Sequence, residues 1–457
     1  MVNATVSLYQ SLKPITVTIP INERFQSMIG SKTADTSKQE PLVPRNILLP
    51  FILLTSCFAW WGLANNMTDT LLAAFKKIMS MSDFQTSWIQ IAFYGSYFCL
   101  AFPAAIFIKK YTYKSGVLLG LGMFVIGSLL FYPASKTMNY FHFLGALYIL
   151  AGGLSILETA ANPYIIAMGP EASGTRRLNF AQSFNPIGSI MGVILSKFFI
   201  LSHLNAATAE DRAVMSAETL QSIQSEELSA VMGPYVSVAL FLVVLWVVMA
   251  AIKMPKSSDA GSDLDLLPTL KRLINNRHYV WGVVAQFFYV GAQIGVWSYT
   301  IRYVMQELGV NEEQAATYYL AALVLFTCNR FVCTWLMRFM SPGNLLALLA
   351  FGAMACTATV IFGGGIIAVY ALVGISACMS LMFPTIFGLS VRGLGADTKI
   401  GGSGLIMAIL GGAVMTTLQG QVSDLTGSIN LAYFVPFCCF GVIAYYGAVA
   451  CRKDLSV

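Results

Sequence analysis

Two carboxylates stand where a lipid bilayer would penalise them. Asp69 lies in FILLTSCFAWWGLANNMTDTLLAAF and Glu158 in FLGALYILAGGLSILETAANPYIIAM, and neither stretch holds a second charge. An ionisable side chain at mid-membrane costs about 2.5–3.5 kcal/mol on insertion scales, and it normally faces a bundle interior or a water-filled path. The pair therefore points to proton handling, or to a path for a polar solute. The bland alternative is a buried structural acid, neutral or paired with Arg330, a cation inside another apolar stretch.

Polar residues around the acids recur at helical spacing. Trp61, Asn65 and Asp69 are spaced i, i+4, i+8, with Asn66 beside them, and Glu158 and Asn162 are i, i+4. Gln182 and Asn185 are i, i+3, and Gln286, Tyr289, Gln293 and Trp297 follow i, i+3, i+7, i+11. Amides and carboxylates offer the paired donors and acceptors that vicinal hydroxyls require. Aromatic faces such as Trp297, Tyr94 or Trp61 suit the apolar C–H face of a sugar ring. A single intramembrane amide is ordinarily interhelical glue worth about 0.6 kcal/mol. A set spread over four helices is better explained by a neutral polar ligand. These stripes contain no Lys or Arg, which argues against phosphate or carboxylate substrates, with Arg330 of the eighth expected helix the one exception unless it pairs with an acid.

The elements that must carry these residues follow from composition. The chain of 457 residues is 57% hydrophobic and 11% charged, against about 25% charged for a soluble domain. It is an integral membrane protein. Apolar runs near the length of about 20 residues needed to span a bilayer recur at 47–75, 84–108, 114–133, 139–168, 177–202, 232–252, 279–306, 314–339, 343–363, 366–391, 400–424 and 430–451. Twelve helices are expected. Lys and Arg gather on alternate connections, among them Lys109, Lys110, Arg176, Arg177, Lys271, Arg272 and Lys399. The positive-inside rule then places both termini in the cytoplasm. The same asymmetry accounts for the net charge of +6, so the charge is no argument for nucleic acid.

Residues 1–45 are polar, Ser/Thr-rich and without an apolar core segment, and an uncleaved, loose cytoplasmic tail is expected. The acidic stretch 203–231 is expected outside. The stretch 253–278, basic at both ends, is expected inside, linking six helices (46–252) to six more (279–457). Leu264, Leu267, Leu270 and Ile274 recur at helical spacing there, which predicts a short helix on the membrane surface. Weak repetition between the halves, Pro163 to Gly188 and Pro384 to Gly411, fits a transporter built of two parallel repeats. Gly188 and Gly192 predict close helix packing. The nine Cys lack a CxxC pair and the three His stand near predicted helix ends, so no metal site or disulfide framework is expected. Signatures of soluble enzymes (a Walker A loop, GxSxG, HExxH) are missing, and the chain is expected not to be an enzyme.

Several blocks resemble the L-fucose–proton symporter branch of the major facilitator superfamily. They are WGLANNMTD (61–69), SDFQTSWIQIAFYGSYF (82–98), LETAANPY (157–164), GPEASGTRRLNFAQSFN (169–185), AQFFYVGAQIGVWSY (285–299) and FPTIFGL (383–389), within a likeness over about 45–450. The resemblance implies an all-α membrane fold of twelve helices, in two six-helix domains around a central cavity that works by alternating access. It implies proton coupling at Asp69 and Glu158. It also implies sugar contacts from Glu158 itself and from Asn66, Gln182 and Asn185, and less directly Gln286 and Gln293; the helical stripes add Asn162 and Trp297. Where the similar glucose/galactose branch is expected to carry Gln, this chain has Glu158, which tilts the reading toward fucose. The loop KKYTYKSG departs from the superfamily pattern by lacking its Asp. The expectation is a monomeric, proton-driven importer of L-fucose in a bacterial inner membrane, using the proton gradient and no cofactor. A glucose/galactose symporter is the alternative within the fold, and a multidrug proton antiporter a more distant one.

Overall fold

The computed structural model describes residues 42–78, 83–199, 205, 211–212, 214–255 and 265–450, with the side chains of 68–77, 83–87, 90, 197, 230 and 231 also outside the description. The expected tail falls outside it up to residue 41, and so does the Asp69 side chain, although its backbone is helical.

In a bilayer every backbone polar group must be satisfied within the chain, so apolar segments form helices. The first half comprises α1 (Leu48–Ile78), α2 (Asp83–Lys110), α3 (Tyr113–Thr137), α4 (Tyr140–Ala167), α5 (Gly174–Gln182), α6 (Phe184–Phe199) and α7 (Ala217–Ala251). After α8 (Leu266–Asn275) come α9 (Arg277–Leu308), α10 (Glu312–Leu336), α11 (Pro342–Phe362), α12 (Gly365–Met379), α13 (Met382–Ser390), α14 (Thr398–Met407), α15 (Gly411–Thr426) and α16 (Phe434–Tyr445). Among the described residues eleven helical segments are long and apolar enough to cross a membrane. The expected span 177–202 is not among them because it is carried by two short helices, α5 and α6, broken at Ser183. Large apolar side chains such as Leu240, Phe241 and Val244 of α7 and Leu348 and Phe351 of α11 point outward, where lipid would cover them.

Helix ends follow local chemistry. Asn139, Asn276, Asn311 and Ser341 each accept a backbone N–H at the start of α4, α9, α10 and α11. The helix expected to begin at 232 begins earlier. Much of the stretch 203–231 is helical, because α7 starts at Ala217, capped by Ser216 with Glu218 in the first turn. At 35 residues and about 1.5 Å per residue, α7 outruns a hydrocarbon core of about 30 Å, so its polar first turns project beyond it. This projecting part is anchored. Arg212 and Glu227 form a buried bidentate pair at 2.9 and 2.6 Å, and the Gln224 amide donates to Ile78 O at the end of α1.

Within each half the helices pack closely, α3 on α4 and α1 on α6 in the first, α9 on α15 and α11 on α12 and α16 in the second. The α1–α6 contact rests on glycine. A Cβ at Gly188 would lie 1.8 Å from Ala59 O, and one at Gly62 would lie 2.0 Å from Asn185 O. The predicted role of Gly188 and Gly192 as a close-packing pair is what the backbone shows.

The halves meet where α14 packs on α2 and α4 and where α13 packs on α5. Many ties between them lie at one end of the bundle, the end that gathers the basic residues. There Asn179 Nδ2 donates to Thr385 Oγ1 at 3.1 Å, and Gly393 N–H donates to Glu171 at 2.9 Å. The Lys399 ammonium sits 5.3 Å from the Tyr113 ring centre. At the same end Arg272 of α8 grips Asp397 through two bonds of 2.7 Å. Thr269 bonds Asp397 at 3.2 Å and receives Lys109 at 3.4 Å. The helix between the halves thus touches the last turn of α2 and the α13–α14 connection together.

Candidate functional site

A cavity of about 180 Å³ lies between the halves. At about 30 Å³ per water this is room on the scale of one small solute. Its wall draws Trp61, Asn65 and Asn66 from α1, Phe93, Tyr94 and Tyr97 from α2, Glu158 from α4, Gln182 from α5, and Asn185, Pro186 and Ser189 from α6. The second half supplies Gln293, Ile294 and Trp297 of α9, Tyr319, Phe326 and Arg330 of α10, Phe383 of α13 and Ile409.

Most of the residues singled out by spacing converge here: Asn66, Glu158, Gln182, Asn185, Gln293 and Trp297. Two others are placed differently. Asn162 is fully buried behind the wall, where its Oδ1 accepts the Gln182 amide at 2.8 Å. It bears on the cavity through Gln182. Gln286 is also fully buried and outside the lining, and neither its amide oxygen nor its nitrogen has a partner among the described residues. The i, i+3, i+7, i+11 stripe of α9 is wider than the cavity, so its first member faces packing and its last two face the space.

Glu158 is held by a residue that helical spacing did not single out. The Tyr97 hydroxyl donates to Glu158 Oε1 at 2.8 Å, and the Tyr97 carbonyl accepts Ser155 Oγ at 3.1 Å. The second carboxyl oxygen, Oε2, has no partner among the described residues. The carboxyl is therefore fixed by one oxygen while the other is uncommitted.

Arg330 is 3% exposed and has no ion-pair partner among the described residues. Its surroundings explain how a cation survives there. Nη1 donates to Gln182 O at 3.0 Å and Nε donates to Ser380 O, while the guanidinium lies 4.6 Å from the Phe326 ring centre. Both carbonyls stand four residues before a proline, Pro186 and Pro384. Proline has no N–H to return the helical bond, so each leaves the carbonyl four residues back without its helical donor. Arg330 takes up both. The cation thereby ties the break between α5 and α6 in one half to the break between α12 and α13 in the other. Nearby, Asn329 donates to Ala377 O at 2.8 Å, and Trp297 Nε1 donates to Ser376 Oγ at 3.2 Å.

The site offers amides, one carboxyl, one guanidinium and aromatic faces. No cluster of metal-ligating side chains occurs among the described residues.

Residues 51–416 match the model of the Major Facilitator Superfamily. The chain belongs to that superfamily. It is a multi-pass transporter of all-helical fold, not an enzyme. It is 38% identical over 418 residues to an L-fucose-proton symporter of Haemophilus influenzae, covering 89% of this chain and 97% of the relative. An L-fucose-proton symporter of Escherichia coli is 41% identical over 404 residues, 87% of this chain and 92% of the relative. A glucose/galactose transporter of Brucella abortus is 33% identical over 407 residues, 88% and 93% respectively. Among solved structures, a superfamily transporter, FucP, in the outward conformation superposes with a TM-score of 0.84 at 40% identity, covering 89% of this chain and 99% of that one. These matches bear out the resemblance drawn from the motifs.

Proposed function

We propose that the protein is a proton-coupled sugar symporter that carries L-fucose by alternating access. The observation that carries the reading is the shared wall of Glu158, Gln182 and Asn185. There a group able to bind a proton and amides able to bind hydroxyls face one small space. The 38% and 41% identity to L-fucose-proton symporters, against 33% to a glucose/galactose transporter, supports fucose over glucose or galactose.

In this reading the basic end is cytoplasmic, both termini lie there, and the membrane is the bacterial inner membrane. The chain works as a monomer, in two six-helix domains (46–252 and 279–457) joined by 253–278, and needs no cofactor. The ties at the basic end close the cytoplasmic side, so this arrangement faces outward. Asp69 and Glu158 load a proton, and Asn66, Gln182, Asn185, Gln293 and Trp297 hold the sugar. Asn162 and Gln286 act from behind the wall. One proton moved down the membrane potential releases about 2.3 kcal/mol per 100 mV, enough to concentrate a neutral solute about fifty-fold.

Purified protein in proteoliposomes with an imposed pH gradient, offered a panel of radiolabelled sugars, tests this. L-fucose should accumulate, and accumulation should collapse with a protonophore. Accumulation of glucose or galactose in its place, or dye efflux without sugar uptake, would overturn the assignment.

A further inference from the structure

Helix α8 is apolar on more of its circumference than the protein covers. Thr269 and Leu273 are buried against the bundle, whereas Leu267 is 81% and Ile274 70% exposed. Leu267, Lys271 and Ile274 follow i, i+4, i+7, so the two open apolar side chains flank an exposed lysine on one face. Beside them Pro268, Lys271, Arg272, Asn275 and Asn276 line a shallow depression. Among the described residues, the carboxylates near this helix are Asp397, engaged by Arg272, and Asp265, at the far end before Leu266. With Arg272 paired, Lys271 leaves the depression net basic.

Position supplies the partner. A single residue, Asn276, separates α8 from α9, a helix apolar enough to span. A helix at the mouth of a span lies at headgroup depth, where an amphipathic surface buries its apolar side in the acyl boundary. We propose that the outer face of α8 docks on anionic phospholipid. Leu267 and Ile274 enter the acyl boundary, and Lys271 and Asn275 hold the headgroup phosphate. A basic residue near an anionic surface is worth about 1 kcal/mol, which corresponds to roughly fivefold enrichment of the anionic lipid per residue.

A photoreactive benzoylphenylalanine at position 267, in the full chain reconstituted into nanodiscs of phosphatidylethanolamine with a minority of phosphatidylglycerol, tests this directly. Mass spectrometry of the irradiated protein should find phospholipid adducts, with phosphatidylglycerol about fivefold above its bulk fraction. Lys271→Glu should abolish that enrichment while lipid adducts persist. Adducts to residues 1–41 of the same chain, to a second protein, or to no lipid at all would overturn the docking. Enrichment that is absent in the parent, or unchanged by Lys271→Glu, would overturn the headgroup site.

Discussion

Glu158 has one oxygen tied to Tyr97 and the other uncommitted, an arrangement that lets a carboxyl exchange its proton without changing its place. Glu158→Gln keeps the shape and fixes a neutral form, so sugar exchange across the membrane should survive with weaker pH dependence while uphill transport is lost. Loss of binding at every pH would mean that the sugar needs the charged oxygen. Asp69→Asn, which also cannot carry a proton, should abolish accumulation driven by a pH gradient; uphill uptake in that variant removes Asp69 from coupling. The Gln182–Asn162 bond makes a separate prediction. Leaving one sugar hydroxyl unpaired costs about 1–3 kcal/mol, so Gln182→Ala should weaken binding tenfold to a hundredfold. Asn162→Ala acts only through Gln182 and should add little on top of Gln182→Ala in the double variant. Full additivity in calorimetric titration would show that Asn162 touches sugar itself.

At the scale of elements, close backbone contact sets what the sequence can tolerate. Gly188→Ala would push a methyl to 1.8 Å from Ala59 O, and the two helices must part to admit it. Overpacking of this kind costs about 1–3 kcal/mol. A clear fall in the melting temperature of the detergent-solubilised protein is expected, and an unchanged value would contradict the contact. The Gly188/Gly192 pair was legible in the sequence, as were the spans, because composition and helical periodicity are local signals. The partners of Arg330 were not. Pro186 and Pro384 announce two freed carbonyls, but which side chain claims them depends on three segments meeting from far apart in the chain. Tyr97 escaped for the same reason, since its neighbour Glu158 is 61 residues away. The helical start of α7 was hidden by polarity: residues 217–231 look like loop because they stand outside the apolar layer.

For the whole molecule, α8 and Asp397 form a tie that any opening of the basic end must rearrange. The hydrogen bonds from Arg272 hold the Asp397 carboxyl below the usual carboxylate range. A carboxyl depressed in the folded state contributes stability that is complete above its unfolded value and is lost only as pH falls through the folded one. The tie should therefore be constant from about pH 5 to 8 and fade below about pH 4. The difference in melting temperature between the parent and Asp397→Asn, followed across pH, measures this; a difference that vanishes between pH 7 and 5 would contradict it.

The double grip of Arg330 also bears on how the chain is made. Segments enter the membrane in order of synthesis, and α10 carries its guanidinium into the bilayer before α12 has emerged. At that stage the Gln182 carbonyl is in place and the Ser380 carbonyl is still in the ribosome. A lone arginine at mid-membrane costs about 2.5–3.5 kcal/mol. The tenth helix should therefore wait at the insertion site, or beside α5, until α12 arrives. Chains released before residue 380 should integrate this segment poorly, and Arg330→Leu should relieve them of the wait.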